Sequence, residues 1–262
     1  MPKALDSLKL HKIKFDSLQS MFSLKRKSSV IAGPCSVESV AQMEQTAKLL
    51  VKHEIPILRG GAFKPRTSPY SFQGLGREGL KILRELGKKY GLLTVSEILD
   101  PRDVQAGVNY LDILQVGSRD MDNFALLKEV GKTGHPVLLK RGYMSTVSEF
   151  LLAAEYIVAE GNTKVILCER GIRSFDRSTR NMLDIAGIAA IQKETSLPVV
   201  VDLSHSLGRK DILLPVMKAV LAMEVDGIML EVHPDPQNAL SDQQQQLDFI
   251  ELENLLQVLN KN

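Results

Sequence analysis

The sequence predicts an α/β protein folded as a single (β/α)8 barrel, and three observations lead there. The chain has 262 residues, close to the roughly 250 typical of one such barrel and enough to bury one core. Eight short apolar, β-branched runs alternate with segments of helical spacing. Just past the end of each run stands a residue able to do chemistry.

The strand candidates cover residues 30–32, 55–59, 92–95, 111–116, 136–140, 164–168, 198–202 and 227–231. Most are near-continuous apolar runs, as expected where both faces of a parallel sheet are covered. Between them, Val40, Met43, Ala47 and Leu50 fall on one helical face, with Ser39 and Gln42 forming a capping box at its start. Leu80, Leu83 and Leu86 repeat the pattern, as do Val147, Leu151 and Ala154 behind Thr146 and Glu149. Leu247, Ile250, Leu255 and Leu259 predict a closing helix, and the glutamine run 243–246 reads as a polar stretch inside a helix. Residues 1–28 fall outside the repeat. Their apolar positions (Leu10, Ile13, Phe15, Leu18, Met21, Phe22) predict a small hairpin or helix beneath a barrel spanning 29–262. A doubly wound open sheet is the alternative, because alternation alone does not fix closure.

Composition excludes several classes. A net charge of +2 gives no whole-molecule field suited to nucleic acid. Two cysteines, Cys35 and Cys168, make no disulfide framework and point to a reducing compartment. Basic residues at the start (Lys3, Lys9, Lys12, Lys14) precede no continuous apolar core, and no run approaches the roughly 20 residues of a membrane span. A cytoplasmic protein is expected.

In such a barrel the active site lies at the C-terminal ends of the strands. That rim receives Cys35, then Arg59 with Lys64 and Arg66, Glu97, Arg119, Lys140, Arg170, Asp202 with His205, and Glu231 with His233. Arg59, Lys64, Arg66, Arg119, Lys140 and Arg170 would repel one another unless anions neutralised them, so a highly anionic ligand, or two, is expected. Cys35, His205, Glu231 and Asp242 offer a thiolate, an imidazole and carboxylates, a donor set suited to a divalent transition metal. Taken alone, Cys35 reads by default as an inert buried thiol, the reading kept for Cys168. His11, His53 and His135 are expected at the surface or in loops. His233 fits either a ligand or a partner to one.

Longer motifs then carry a resemblance. Ile31-Ala32-Gly33-Pro34-Cys35-Ser36-Val37-Glu38-Ser39 and Leu58-Arg59-Gly60-Gly61-Ala62-Phe63-Lys64-Pro65-Arg66-Thr67-Ser68 resemble 3-deoxy-D-arabino-heptulosonate 7-phosphate (DAHP) synthase, short type I branch. So do Lys140-Arg141-Gly142, Cys168-Glu169-Arg170-Gly171, Ser204-His205, Glu231-Val232-His233-Pro234-Asp235-Pro236 and Ala239-Leu240-Ser241-Asp242. The resemblance implies the first step of the shikimate pathway, a metal-dependent condensation of phosphoenolpyruvate with erythrose 4-phosphate. It assigns Cys35, His205, Glu231 and Asp242 to a divalent ion, whether Mn, Fe, Co or Zn. It assigns Arg59 and Lys64 to the phosphoenolpyruvate carboxylate, and Arg119, Lys140, Arg170 and the Ser118 amide to its phosphate. Arg66 and Thr67 would bind the phosphate of erythrose 4-phosphate, and Glu97 with Lys140 would position a water. A homodimer or homotetramer is implied, as is either no feedback inhibition or regulation through a partner such as chorismate mutase.

Two departures stand out. Asp202-Leu203-Ser204-His205 replaces the family's frequent Asp-Pro-Ser-His, which removes a rigid φ angle but no ligand. Ser118-Arg119-Asp120 replaces Ala-Arg-Asn, placing a carboxylate near the phosphate position that would oppose an anion unless it caps the next helix. Two rival readings remain. One is the sibling enzyme that uses arabinose 5-phosphate to make 3-deoxy-octulosonate 8-phosphate, whose usual Ala-Asn-Arg-Ser differs from Lys64-Pro65-Arg66-Thr67. The other is an inactive barrel serving as a regulatory binding partner.

Overall fold

The computed structural model describes residues 8–24, 29–66 and 68–259, so Thr67 and Lys3 lie outside the described residues, as does the side chain of Leu259. Eight parallel strands pair in chain order and close into a barrel: β1 (Ser29–Gly33), β2 (Ile57–Arg59), β3 (Leu93–Glu97), β4 (Ile113–Val116), β5 (Val137–Lys140), β6 (Val165–Glu169), β7 (Val199–Asp202) and β8 (Gly227–Glu231). The seam is the five-residue register of β1 on β8, from Ser29 opposite Gly227 to Gly33 opposite Glu231. Closure excludes the open sheet. The second and fourth strands begin two residues later than expected, and the third, fifth, sixth and seventh one residue later. Pro56 has no N–H for a ladder, and Leu111 returns its N–H to Gly107 as the cap of the preceding helix.

Side chains alternate across a strand, and here that alternation builds two cores. Ile31, Ile57, Val95, Ile113, Leu138, Ile166, Val200 and Met229 fill the barrel interior together with Cys168. Residues of the other parity, such as Val30, Leu58, Leu114, Leu139 and Leu167, pack outward with the helices. Cys168 is thus a core thiol, as expected.

The helices are α1 (Leu18–Phe22), α2 (Val40–Lys52), α3 (Arg77–Tyr90), α4 (Val104–Tyr110), α5 (Phe124–Lys132), α6 (Val147–Ala159), α7 (Ile185–Glu194), α8 (Leu203–Leu207), α9 (Leu213–Leu221) and α10 (Phe249–Leu259). Thr146 and Glu149 form the full reciprocal box at the start of α6. Ser39 makes only half of one. Its hydroxyl accepts from Gln42 N, but the Gln42 amide turns inward, accepting from Glu38 N and donating to Ser36 O. Gln42 fills the buried place at that end, and Val40 is left 53% exposed.

The end of the chain also differs from expectation. Leu247 pairs with Val232 in an isolated bridge ahead of α10, and Ile250 is 70% exposed. The glutamine run lies in turns before the helix, because Gln245 and Gln246 are drawn inward by polar partners at the rim.

Below the barrel, α1 is capped by Ser17 and inserts Leu18, fully buried, into the interior core, with Met21 and Phe22 beside it. The preceding segment is tied down by Glu155, which accepts from Lys9 N and Leu10 N, and by Ser196, which accepts from Phe15 N. Of the two forms expected for this extension, the helix is the one present among the described residues.

Candidate active site

Alternation also positions the chemistry. Two residues beyond an inward apolar side chain the strand reaches the rim, so Ile57 leads to Arg59, Val95 to Glu97, Leu138 to Lys140, Val200 to Asp202 and Met229 to Glu231. In β1 the same step passes through Gly33 to Cys35. A Cβ on Gly33 (φ +148°) would stand 2.0 Å from the Arg59 carbonyl oxygen, so only glycine lets β1 run this close to β2.

Cys35, His205, Glu231 and Asp242 come together as expected, each offering one donor atom within 4.8 Å of the others. Cys35 Sγ is 3.3 Å from Asp242 Oδ2, and His205 Nε2 is 3.4 Å from Glu231 Oε1. Asp242 adopts φ 48°, a left-handed conformation that Asp tolerates better than most residues. One soft sulfur, one imidazole and two carboxylates fit a divalent transition metal. Burial holds the His205 ring below its ordinary value and so neutral at pH 7. Burial alone would raise Glu231, but His205, Arg59 and Lys64 outweigh it and keep the carboxyl ionised. Arg180, followed by His205 and Lys64, overcomes burial at Asp242 and brings it to about 2. Cys35 is pushed up to about 12, first by burial and then by the Glu231 charge.

The expected cations form the adjoining wall. A cavity of about 340 Å³ is lined by Lys64, Arg66, Glu97, Ser118, Arg119, Lys140, Tyr143 and Arg170, and also reaches Arg180, His205 and Asp242. Arg59 lies beneath it rather than in it, donating from NH1 to Glu231 Oε1 (2.6 Å) and to the Pro34 carbonyl (2.9 Å). Lys64 stands where the two halves meet, its Nζ 3.0 Å from Cys35 Sγ. Burial raises Glu97, and Lys64 and Lys140 only partly offset it. A Cβ on Gly117 would sit 1.8 Å from Glu97 Oε1, so glycine there makes room for the carboxylate. Asp120 does not cap α5; Asn123 does, accepting from Leu126 N, while burial raises the half-buried Asp120 carboxyl.

His233 is not among the four donors. It is buried, accepts from Asp235 N through Nδ1 (2.9 Å), and points Nε2 toward Glu38 at 3.5 Å. His11, His53 and His135 lie away from the rim, at Glu194, Glu253 and the Leu111 carbonyl.

Some roles and residues at the site escaped the sequence reading. Asp202 was placed at the rim without a role; it accepts from His205 Nδ1 (2.8 Å) and from Lys140 Nζ (2.5 Å), joining the imidazole to the cationic wall. Its place three residues before His205, as cap of α8, was the available clue. Gln245 donates to Glu231 Oε2 and accepts from Arg180, which is paired with Asp242 at 3.3 Å. Gln246 accepts from Cys35 N. Tyr143 lies within 6 Å of three guanidinium groups. No pattern in the sequence marks Tyr143 or Arg180.

The barrel and its rim define a class: an α/β-barrel enzyme in which a four-donor group able to hold a metal adjoins a cationic cleft suited to anions. Residues 19–262 match the model of the DAHP synthetase I family, and the chain belongs to that family. It is 52% identical over 233 residues to a phospho-2-dehydro-3-deoxyheptonate aldolase of Thermotoga maritima, covering 89% of this chain and 69% of the relative. A 2-dehydro-3-deoxyphosphooctonate aldolase of Syntrophotalea carbinolica is 33% identical over 234 residues, with 82% and 83% covered. Among solved structures, the Thermotoga maritima DAHP synthase superposes with a TM-score of 0.87 at 52% identity, covering 89% of this chain and 68% of that one. A truncated form of the Thermotoga maritima enzyme gives 0.83 at 49%, covering 89% and 86%.

Proposed function

We propose that this chain condenses phosphoenolpyruvate with erythrose 4-phosphate and water, giving DAHP and phosphate. The observation that carries the reading is the meeting of the four-donor set with the cationic cleft at Lys64.

In this reading Arg59 and Lys64 hold the phosphoenolpyruvate carboxylate. Arg119, Lys140, Arg170 and the Ser118 amide hold its phosphate. Arg66 and Thr67 take the phosphate of the aldose. Bringing together two anions that would otherwise repel is much of the catalysis. The enol carbon C3 attacks the aldehyde carbon, and Lys64 gives a proton to the new alkoxide. Glu97 and Lys140 position the water that adds at C2, where positive charge develops. The raised affinity of Glu97 for protons suits it to take one from that water. The bond between C2 and the bridging oxygen then breaks: phosphate leaves with that oxygen, and the C2 hydroxyl gives up its proton as the ketone forms. Cys35, His205, Glu231 and Asp242 would hold a divalent ion, which when bound would supply Lewis-acid polarisation and orientation of the aldehyde. Mn, Fe, Co and Zn all suit this set.

The reading extends to a homodimer or homotetramer in the cytoplasm, with residues 29–262 as the catalytic unit, 1–28 as its extension, and a partner such as chorismate mutase as the source of any regulation. The drop from 52% identity with the heptonate enzyme to 33% with the octonate enzyme supports erythrose 4-phosphate over arabinose 5-phosphate. Lys64-Pro65-Arg66 supports it too. The test is phosphate release from phosphoenolpyruvate with each aldose, with and without chelator and added Mn²⁺. Release that needs erythrose 4-phosphate and stops with chelator is expected. Preference for arabinose 5-phosphate would move the chain to the sibling enzyme, and no release at all would favour an inactive barrel.

A further inference from the structure

Tyr143 stands three residues past the end of β5, half-buried, on the wall of the cleft. Around its ring lie the guanidinium carbons of Arg170 at 4.6 Å, Arg173 at 5.1 Å and Arg119 at 5.8 Å. All three are inside the roughly 6 Å over which the ring quadrupole attracts a cation. They come from two different loops: Arg119 follows β4, while Arg170 and Arg173 follow β6. Tyr143, on the loop between, also ties the β6 loop down, its carbonyl accepting from Arg173 N at 2.7 Å.

The kind of contact matters. A carboxylate would also gather arginines, but it would occupy the same N–H donors that a phosphate needs. An aromatic ring attracts the cation and uses none of them. Arg170 spends two donors on the carbonyls of Gly171 and His205, and Arg119 makes no hydrogen bond among the described residues. Their remaining donors stay available. The ring also offsets part of the mutual repulsion of three cations packed close together.

We propose that Tyr143 is a positioning residue for the phosphate of the enol substrate, holding Arg119 and Arg170 in place before the substrate arrives. Preorganisation of this kind lowers the cost of ordering long side chains on binding. The proposal rests on the assignment of those two arginines to phosphoenolpyruvate.

The experiment compares Tyr143→Leu with Tyr143→Phe, which keeps the ring and loses only the hydroxyl. Loss of contacts of this strength should raise the KM for phosphoenolpyruvate about tenfold in the leucine variant. The phenylalanine variant should stay within about twofold, and the KM for erythrose 4-phosphate should not move in either. Should the leucine chain fail to fold, Tyr143→Met takes its place. An unchanged KM for phosphoenolpyruvate, equal loss in both variants, or a fall in kcat alone would each overturn the proposal. Calorimetric binding of inorganic phosphate to the same proteins separates the two readings. If the wild type shows no turnover, the reaction assignment fails, while weaker phosphate binding in the leucine variant alone still upholds Tyr143, and equal binding overturns it.

Discussion

Cys35 and Cys168 are both buried and both pushed up to about 12, with burial the leading cause in each. Neighbours distinguish them. Among the described residues Cys168 Sγ has one hydrogen-bond partner, the Glu169 carbonyl at 3.7 Å, whereas Cys35 Sγ meets Lys64 at 3.0 Å and Asp242 at 3.3 Å. A metal binds the thiolate, and the other three donors already stand ready: His205 neutral, Glu231 and Asp242 ionised. Loading the site near pH 7 should therefore release one proton, from Cys35. Raising the pH removes the competing proton, so apparent affinity should climb by about tenfold per pH unit through the neutral range. Calorimetric titration with Mn²⁺ in two buffers of different ionisation heat reads the proton count; a count of zero or a flat pH profile would contradict the assignment. At this scale the sequence exposed residues whose chemical type matters, such as the four donors. It hid those whose role depends on where a loop turns. Gln245 is an ordinary polar residue until its amide meets Glu231, and Tyr143 until three arginines surround it.

Elements were legible in proportion to how uniformly they are buried. All eight strands could be read, to within two residues at each start, because both of their faces are covered and apolar residues fill them without a break. Helical stripes were right in the middle and wrong at the ends, where Val40 and Ile250 face solvent. The glutamine run has no apolar period to betray a turn, and only its partners at the rim keep it out of a helix. The extension could not be resolved between hairpin and helix, since its six apolar positions suit either. Its energetic part is clearer. Leu18 is fully buried in the interior core, so Leu18→Ala should cost about 2–5 kcal/mol of stability. The rim lies at the opposite end of the strands, so kcat at a permissive temperature should stay near wild type. Urea unfolding monitored by circular dichroism checks this; a loss under about 1 kcal/mol would mean that the floor of the barrel relaxes around the gap.

Across the whole molecule, the rim divides by strand. The ends of β7, β8 and β1 and the segments just beyond them supply His205, Glu231, Cys35 and Asp242, while the ends of β2 to β6 and the loops after them supply the cations of the cleft and Glu97. Many barrels bind phosphate after strands 7 and 8; here that sector carries the donor set instead. It is also the sector of the seam, where the first strand meets the last. A metal bound there would join residues more than 200 positions apart in the chain, and the unfolded chain would not present them together. Metal binding should thus stabilise the folded barrel, by about 2.7 kcal/mol at a free concentration one hundred times Kd. For a chain of this size that corresponds to a rise in Tm of roughly 5 °C or more. Scanning calorimetry with added Mn²⁺, then with chelator, should show the rise and its reversal. Cys35→Ala removes the sulfur donor and should lose most of the shift. A wild-type Tm indifferent to metal, or an equal shift in the alanine variant, would show that the four donors do not hold the ion across the seam between the first and last strands.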